Sequence, residues 1–209
     1  MSGLEEIWNQ SCENQNIPQE LAKTWLNNVK TKYSTESHRI YHNLNVLNKK
    51  CDLLRAFGQS VQYSDYLAFA IVFQYYNFDL KTDCSGTNCA AFREFYNAAN
   101  IDNIKLLDSV CYLLGDSSKT FSGNAEDILL YQDLDLIVLG SSSSEYKEYQ
   151  QATQSEYSHL DETTYKKTRL RILETFLQIP QIYSVSCIGE RFEVSARANI
   201  KQEIAELKN

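Results

Sequence analysis

Residues 71–79 read IVFQYYNFD, and they close a segment whose spacing decides the fold class. Tyr63, Leu67, Ala70 and Ile71 recur at three- and four-residue intervals, the period of a helix rather than the alternation of a strand. Gln74 falls next on that stripe, where an apolar group is expected. An amide turned inward needs hydrogen-bond partners, or it destabilises the fold by about 1–3 kcal/mol. Gln74 therefore belongs either to a polar network or to a place built for chemistry.

The same period runs outward in both directions. Leu4, Ile7, Trp8 and Cys12 mark a first helix, and Leu21, Trp25, Leu26, Val29 and Tyr33 a second one after Pro18. The triplet at 34–36 reads as the start of a third, whose stripe of Leu47, Cys51, Leu54 and Phe57 stops at Gly58. Further apolar faces follow at Cys89, Phe92, Phe95, Tyr96 and Ala99, and at Ile104, Leu107, Cys111 and Leu114. Two more come at Leu170, Leu173, Phe176 and Leu177, and at Phe192, Ala196, Ile200, Ile204 and Leu207. Residues 77–88 and 115–124 are loops by composition. The serines at 141–144 read as a helix cap rather than a phosphate cradle. With seven Gly and two Pro among 209 residues, long runs carry no breaker. The prediction is an all-α chain, a single helical domain over 1–209 of about ten helices, without internal repeats.

The formal net charge of −7 argues against a nucleic-acid partner, because binding a phosphate backbone needs clustered cations. A small anionic ligand stays compatible with a local basic pocket. No apolar run reaches the length of a membrane span, so no membrane partner is expected. MSGLEEIWNQ lacks a signal-peptide pattern, and the six Cys show no secreted-scaffold spacing. The expectation is a cytoplasmic protein with reduced thiols. No G-x-S-x-G elbow, glycine-rich nucleotide loop or Cys beside a His is present. Cys84 and Cys89, with Asp79 and Asp83 nearby, make only a weak metal pattern.

Six stretches then occur in a telling order: HRIYHNLNVL (38–47), FQYYNFD (73–79), QDLDLIVLG (132–140), SEY (155–157), YKKTRLRILETFL (165–177) and EVSARANIKQEIAEL (193–207). Together they resemble the predicted metal-dependent phosphohydrolases of the HD superfamily over about residues 20–207. The similar branch carries patterns of the type R-x-Y-H-N-x-x-H, F-H-D, D-x-D-L-x-x-L-G and A-R-x-N. The resemblance implies an HD-domain-like helical fold. It also implies a His, a His-Asp pair and a distant Asp that jointly hold one or two divalent ions. His42 matches the first ligand, and Asp135 the last, with Asp133 the near alternative. Gln74 and Tyr75 stand in place of the His-Asp pair. Asn45 occupies the place of the second His, Cys89 that of a proton-transferring carboxylate, and Gln154 that of an Arg. Arg39, Tyr41, Asn43, Leu136, Gly140, Tyr157, Arg169, Arg197 and Asn199 match the scaffold positions.

A four-ligand zinc site binds with about 10–16 kcal/mol, so losing two ligands weakens it by many powers of ten. The expectation is a catalytically degenerate protein with a binding or regulatory role, no catalytic residue and no cofactor. Its vestigial site would comprise His42, Gln74, Tyr75, Cys89, Asp133 and Asp135. The alternative is a residual phosphohydrolase acting on nucleotides or other phosphomonoesters. It would use Mn, Mg, Fe or Zn held by His42, Asp79, Asp133 and Asp135. A third reading is a protein–protein scaffold, whose partner the sequence does not identify. A small-molecule or nucleotide ligand could stack on Tyr75, Tyr76 and Phe78, although close packing favours rings that simply fill the space. Returning His and Asp to positions 74 and 75 is expected to restore metal affinity.

Overall fold

Local capping chemistry starts many of the helices. The computed structural model describes residues 1–208, and among them are ten α-helices, two short 3-10 helices and no strand. The helices are α1 (Gly3–Asn14), α2 (Gln19–Thr35), α3 (Leu44–Phe57), α4 (Ser64–Phe73), α5 (Ser85–Ala98), α6 (Ile104–Leu113), α7 (Ala125–Leu136), α8 (Ser143–Glu156), α9 (Glu162–Gln178) and α10 (Ser186–Lys208). The all-α expectation holds.

Ser2 with Glu5, and Ser142 with Glu145, form reciprocal capping boxes at the starts of α1 and α8. Asp161 caps α9 through the Thr164 amide at 3.0 Å. Asn43 caps α3, its side chain accepting from the amides of Asn45 (2.9 Å) and Val46 (3.2 Å). That cap corrects the sequence-based start of α3 at 34–36: Ser34 and Thr35 instead finish α2. Residues 36–43 form an irregular link. Behind α6 the chain turns at Gly115 with φ +104°, a conformation that glycine adopts without strain.

The chain divides into two compact units, the first from Met1 to Tyr131 and the second from Gln132 onward. In the first, α4 is the central element. Every residue from Asp65 to Phe73 is buried, so the single inward stripe inferred from its spacing is corrected to a helix enclosed on all sides. Around it Trp8, Phe69, Phe73, Phe92 and Phe95 form one aromatic cluster, with the Trp8 and Phe95 centroids 5.0 Å apart and Phe73 and Phe92 5.3 Å apart. Each such ring contributes about 1.5–3 kcal/mol through removal from water. The Trp8 indole also donates to the Ala22 carbonyl at 2.9 Å, which pins α1 to α2. One expected core position differs, for Ile104 at the start of α6 is 63% exposed.

In the second unit, α10 packs on α9 and on the 3-10 helix at Ile137–Gly140. Gly140 admits this contact: a Cβ there would lie 2.6 Å from Phe192 Cβ. Asn199 donates to the carbonyls of Leu139 (2.9 Å) and Ser141 (3.0 Å). Arg169 and Glu203 form a buried, two-pronged ion pair at 2.7 and 3.0 Å, to which Tyr146 also donates. No helix among the described residues is long and apolar enough to cross a membrane.

Candidate functional site

The site is built at the C-terminal end of α4, where a helix leaves its last carbonyls without intrahelical partners. No glycine caps this end. Side chains from elsewhere in the first unit do so instead. Tyr33 donates to the Val72 carbonyl (3.0 Å) and Asn88 to the Gln74 carbonyl (2.7 Å). Arg39 spans the next two, with Nη1 2.6 Å from the Tyr75 carbonyl and Nη2 2.9 Å from that of Tyr76. Its Nε donates to Glu36 at 2.7 Å, and its guanidinium lies 4.7 Å from the Tyr33 ring and 5.3 Å from that of Phe78. Asn88 Oδ1 also accepts from the Asn77 amide at 2.7 Å. The segment 74–78 is thereby fixed.

The side chains of that segment meet residues of α3 and of the link before it. Gln74 is half-buried, and its Oε1 accepts from Lys50 Nζ at 2.6 Å. Lys50 is only 6% exposed, and its ammonium lies 5.5 Å from the centre of the Tyr75 ring. The Tyr75 ring also stands 4.4 Å from that of His42, and the Phe78 ring stands 4.5 Å from the His42 ring. The first unit thus brings together His42, Gln74 and Tyr75 of the expected set. Tyr76 turns into the core, 5.4 Å from Phe73 and 6.4 Å from Trp25. An open cleft of about 270 Å³ lies alongside, lined by Tyr75, Phe78, Asp79, Cys84 and Asn88.

Lys50 is the residue that sequence reasoning missed. The signal was present, since position 50 shares the stripe of Leu47 and Leu54 at helical spacing.

Cys89, Asp79, Asp83 and Asp133 have partners of their own. Cys89 is buried and interacts with Arg93 of its own helix and with Cys111 of α6. Burial, with Cys89 beside it, pushes the Cys111 thiol up to about 12. Asp79 is exposed and shapes its own turn, accepting from the Lys81 amide at 2.9 Å. Asp83 similarly accepts from the Ser85 amide at 2.9 Å, at the start of α5.

In the second unit, Asp133 is 2% exposed and receives the Ser184 amide on Oδ1 (3.1 Å) and the Val185 amide on Oδ2 (2.7 Å). It anchors the turn that leads into α10. Burial raises its carboxyl above the usual range, while the two amides pull the other way. Asp135, two residues on, is half-buried.

Three of these side chains are poor candidates as ligands of a divalent ion. Gln74 already directs its carbonyl oxygen at an ammonium, Tyr75 offers a phenol rather than a carboxylate, and Asp133 spends both oxygens on backbone amides. Among the described residues no group of three or more His, Cys, Asp or Glu side chains is arranged to hold a metal. Comparison with family models, curated proteins and solved structures returns no match.

Proposed function

We propose that the chain is a catalytically degenerate protein of the HD type, with a binding or regulatory role in place of metal-dependent phosphohydrolysis. The observation that carries this reading is the packing of His42, which has the Tyr75 ring at 4.4 Å and the Phe78 ring at 4.5 Å. Family-type hydrolysis needs an ion that activates water and neutralises charge on the phosphoryl group. Rings at these distances set apolar surface against the imidazole and leave less room beside it for a hydrated ion. The cleft beside Tyr75 and Phe78 is the place where a small-molecule or nucleotide ligand would enter. Six unpaired cysteines agree with a reducing, cytoplasmic setting.

The test is a hydrolysis assay on purified protein with p-nitrophenyl phosphate and nucleoside monophosphates, supplied in turn with Mn, Mg, Co and Zn. The expected result is no turnover above the metal-only blank. Turnover that disappears in His42→Ala overturns the proposal, because it ties catalysis to the imidazole at the first ligand position of the resemblance.

A further inference from the structure

We infer that Lys50 supplies a resident cation at the former ligand positions 74 and 75, and that its ammonium excludes divalent ions from them. The inference rests on the family reading of Gln74 and Tyr75. Its physical content comes from α3.

A lysine side chain normally carries its charge out to water. Lys50 does not: it is 6% exposed, and Nζ sits 2.6 Å from Gln74 Oε1. An ammonium this deep needs lone pairs or π faces to replace its hydration. Gln74 offers a lone pair, and the Tyr75 ring, 5.5 Å away, offers a face. Both residues occupy the positions that the resemblance assigns to metal ligands. Glutamine in place of histidine suits an ammonium, because an amide oxygen accepts from N–H without having to be deprotonated. A phenol in place of aspartate removes a negative charge that would favour a divalent ion.

The consequence departs from the expectation that His and Asp at positions 74 and 75 restore metal affinity by themselves. With Lys50 present, an incoming divalent ion meets a like charge within a few ångströms of the new ligands. Removing that charge is the missing step.

Titration calorimetry with MnCl2 and with ZnCl2 tests this on three chains: the natural protein, Gln74→His/Tyr75→Asp, and the same double variant with Lys50→Met. The expected order is no binding, weak binding, and binding at least a hundredfold tighter in the triple variant. Equal affinity in the folded double and triple variants overturns the role of Lys50 while leaving the family reading standing. No binding by a folded triple variant overturns the family reading, and the inference falls with it. A measurement on the natural chain covers the case in which a variant does not fold. Brief acetylation with peptide mapping should modify the exposed Lys49 at least ten times faster than Lys50. Equal labelling in the folded protein overturns the inference.

Discussion

Arg39 gives the sharpest test of how the site is held. Its side chain is fully shielded from solvent and bridges two successive carbonyls, at 2.6 and 2.9 Å, while also pairing with Glu36. Hydrogen bonds to a charged group contribute about 1.5–3 kcal/mol each. The Glu36 pair counts for less, because that carboxylate is 29% exposed and screened. Arg39→Ala strips both carbonyls of the guanidinium and removes a buried stem, for an expected loss of about 3–5 kcal/mol. Arg39→Lys keeps a charge, but one ammonium cannot reproduce a planar fork aimed at two oxygens, so about 1.5–3 kcal/mol should be lost. With a urea slope of about 2–3 kcal/mol/M, the midpoint falls by about 1–2.5 M for alanine and about 0.5–1.5 M for lysine. Amide exchange in residues 74–78 should accelerate in the same order. A lysine variant as stable as the natural protein within about 0.5 kcal/mol, a typical surface effect, would refute the two-carbonyl account. So would alanine and lysine variants of equal stability.

Three further outcomes concern the second unit and α5. The raised Asp133 carboxyl means that the folded state holds a proton the unfolded state has released, so its contribution to stability falls as pH rises above about 4 toward its folded value. Urea melts from pH 3.5 to 7 should therefore show the difference between the natural protein and Asp133→Asn decreasing with rising pH; a growing difference would reverse the sign. Gly140→Ala brings a Cβ within 2.6 Å of Phe192 Cβ and 2.7 Å of its carbonyl oxygen, so backbone must move and about 1–3 kcal/mol is lost. Gly86→Ala in α5 meets nothing within 4 Å and should gain up to about 1 kcal/mol, both effects being read by thermal melts.

Helix positions were legible where one face is wet. The stripes of α1, α2 and α3 locate their large buried apolar residues, though not the buried Ser11, Ala22 or Lys50, because a half-exposed helix must alternate with period 3.6. The run YLAFAIVF at 66–73 carries no such contrast, since a helix buried all round has no polar face to mark the other. The start of α3 was misread for a different reason. Ser34 and Asn43 are both acceptable caps, and the choice is made at a distance, by Arg39 reaching the carbonyls 36 and 37 residues on. Asp133 and Asp135 offer the same group as letters, and the resemblance favours Asp135. Asp133 alone receives the amides of Ser184 and Val185, some fifty residues later. No local pattern encodes such a pairing.

Gln74 and Lys50 show most directly what a sequence withholds. An amide on an apolar stripe stands out because glutamine is too short to reach water from an inward position. A lysine at equivalent spacing passes unnoticed, since its long stem normally carries the charge out. Inside the fold each resolves the other: the buried ammonium needs an acceptor, the half-buried amide needs a donor, and they meet at 2.6 Å. Neither requirement can be met by α3 or the end of α4 alone, because the partners sit 24 residues apart on different elements. The opening alternatives for Gln74, a polar network or a place for chemistry, are therefore not exclusive. The position belongs to a polar network whose cation is a side chain, and that same cation would oppose the chemistry of a metal.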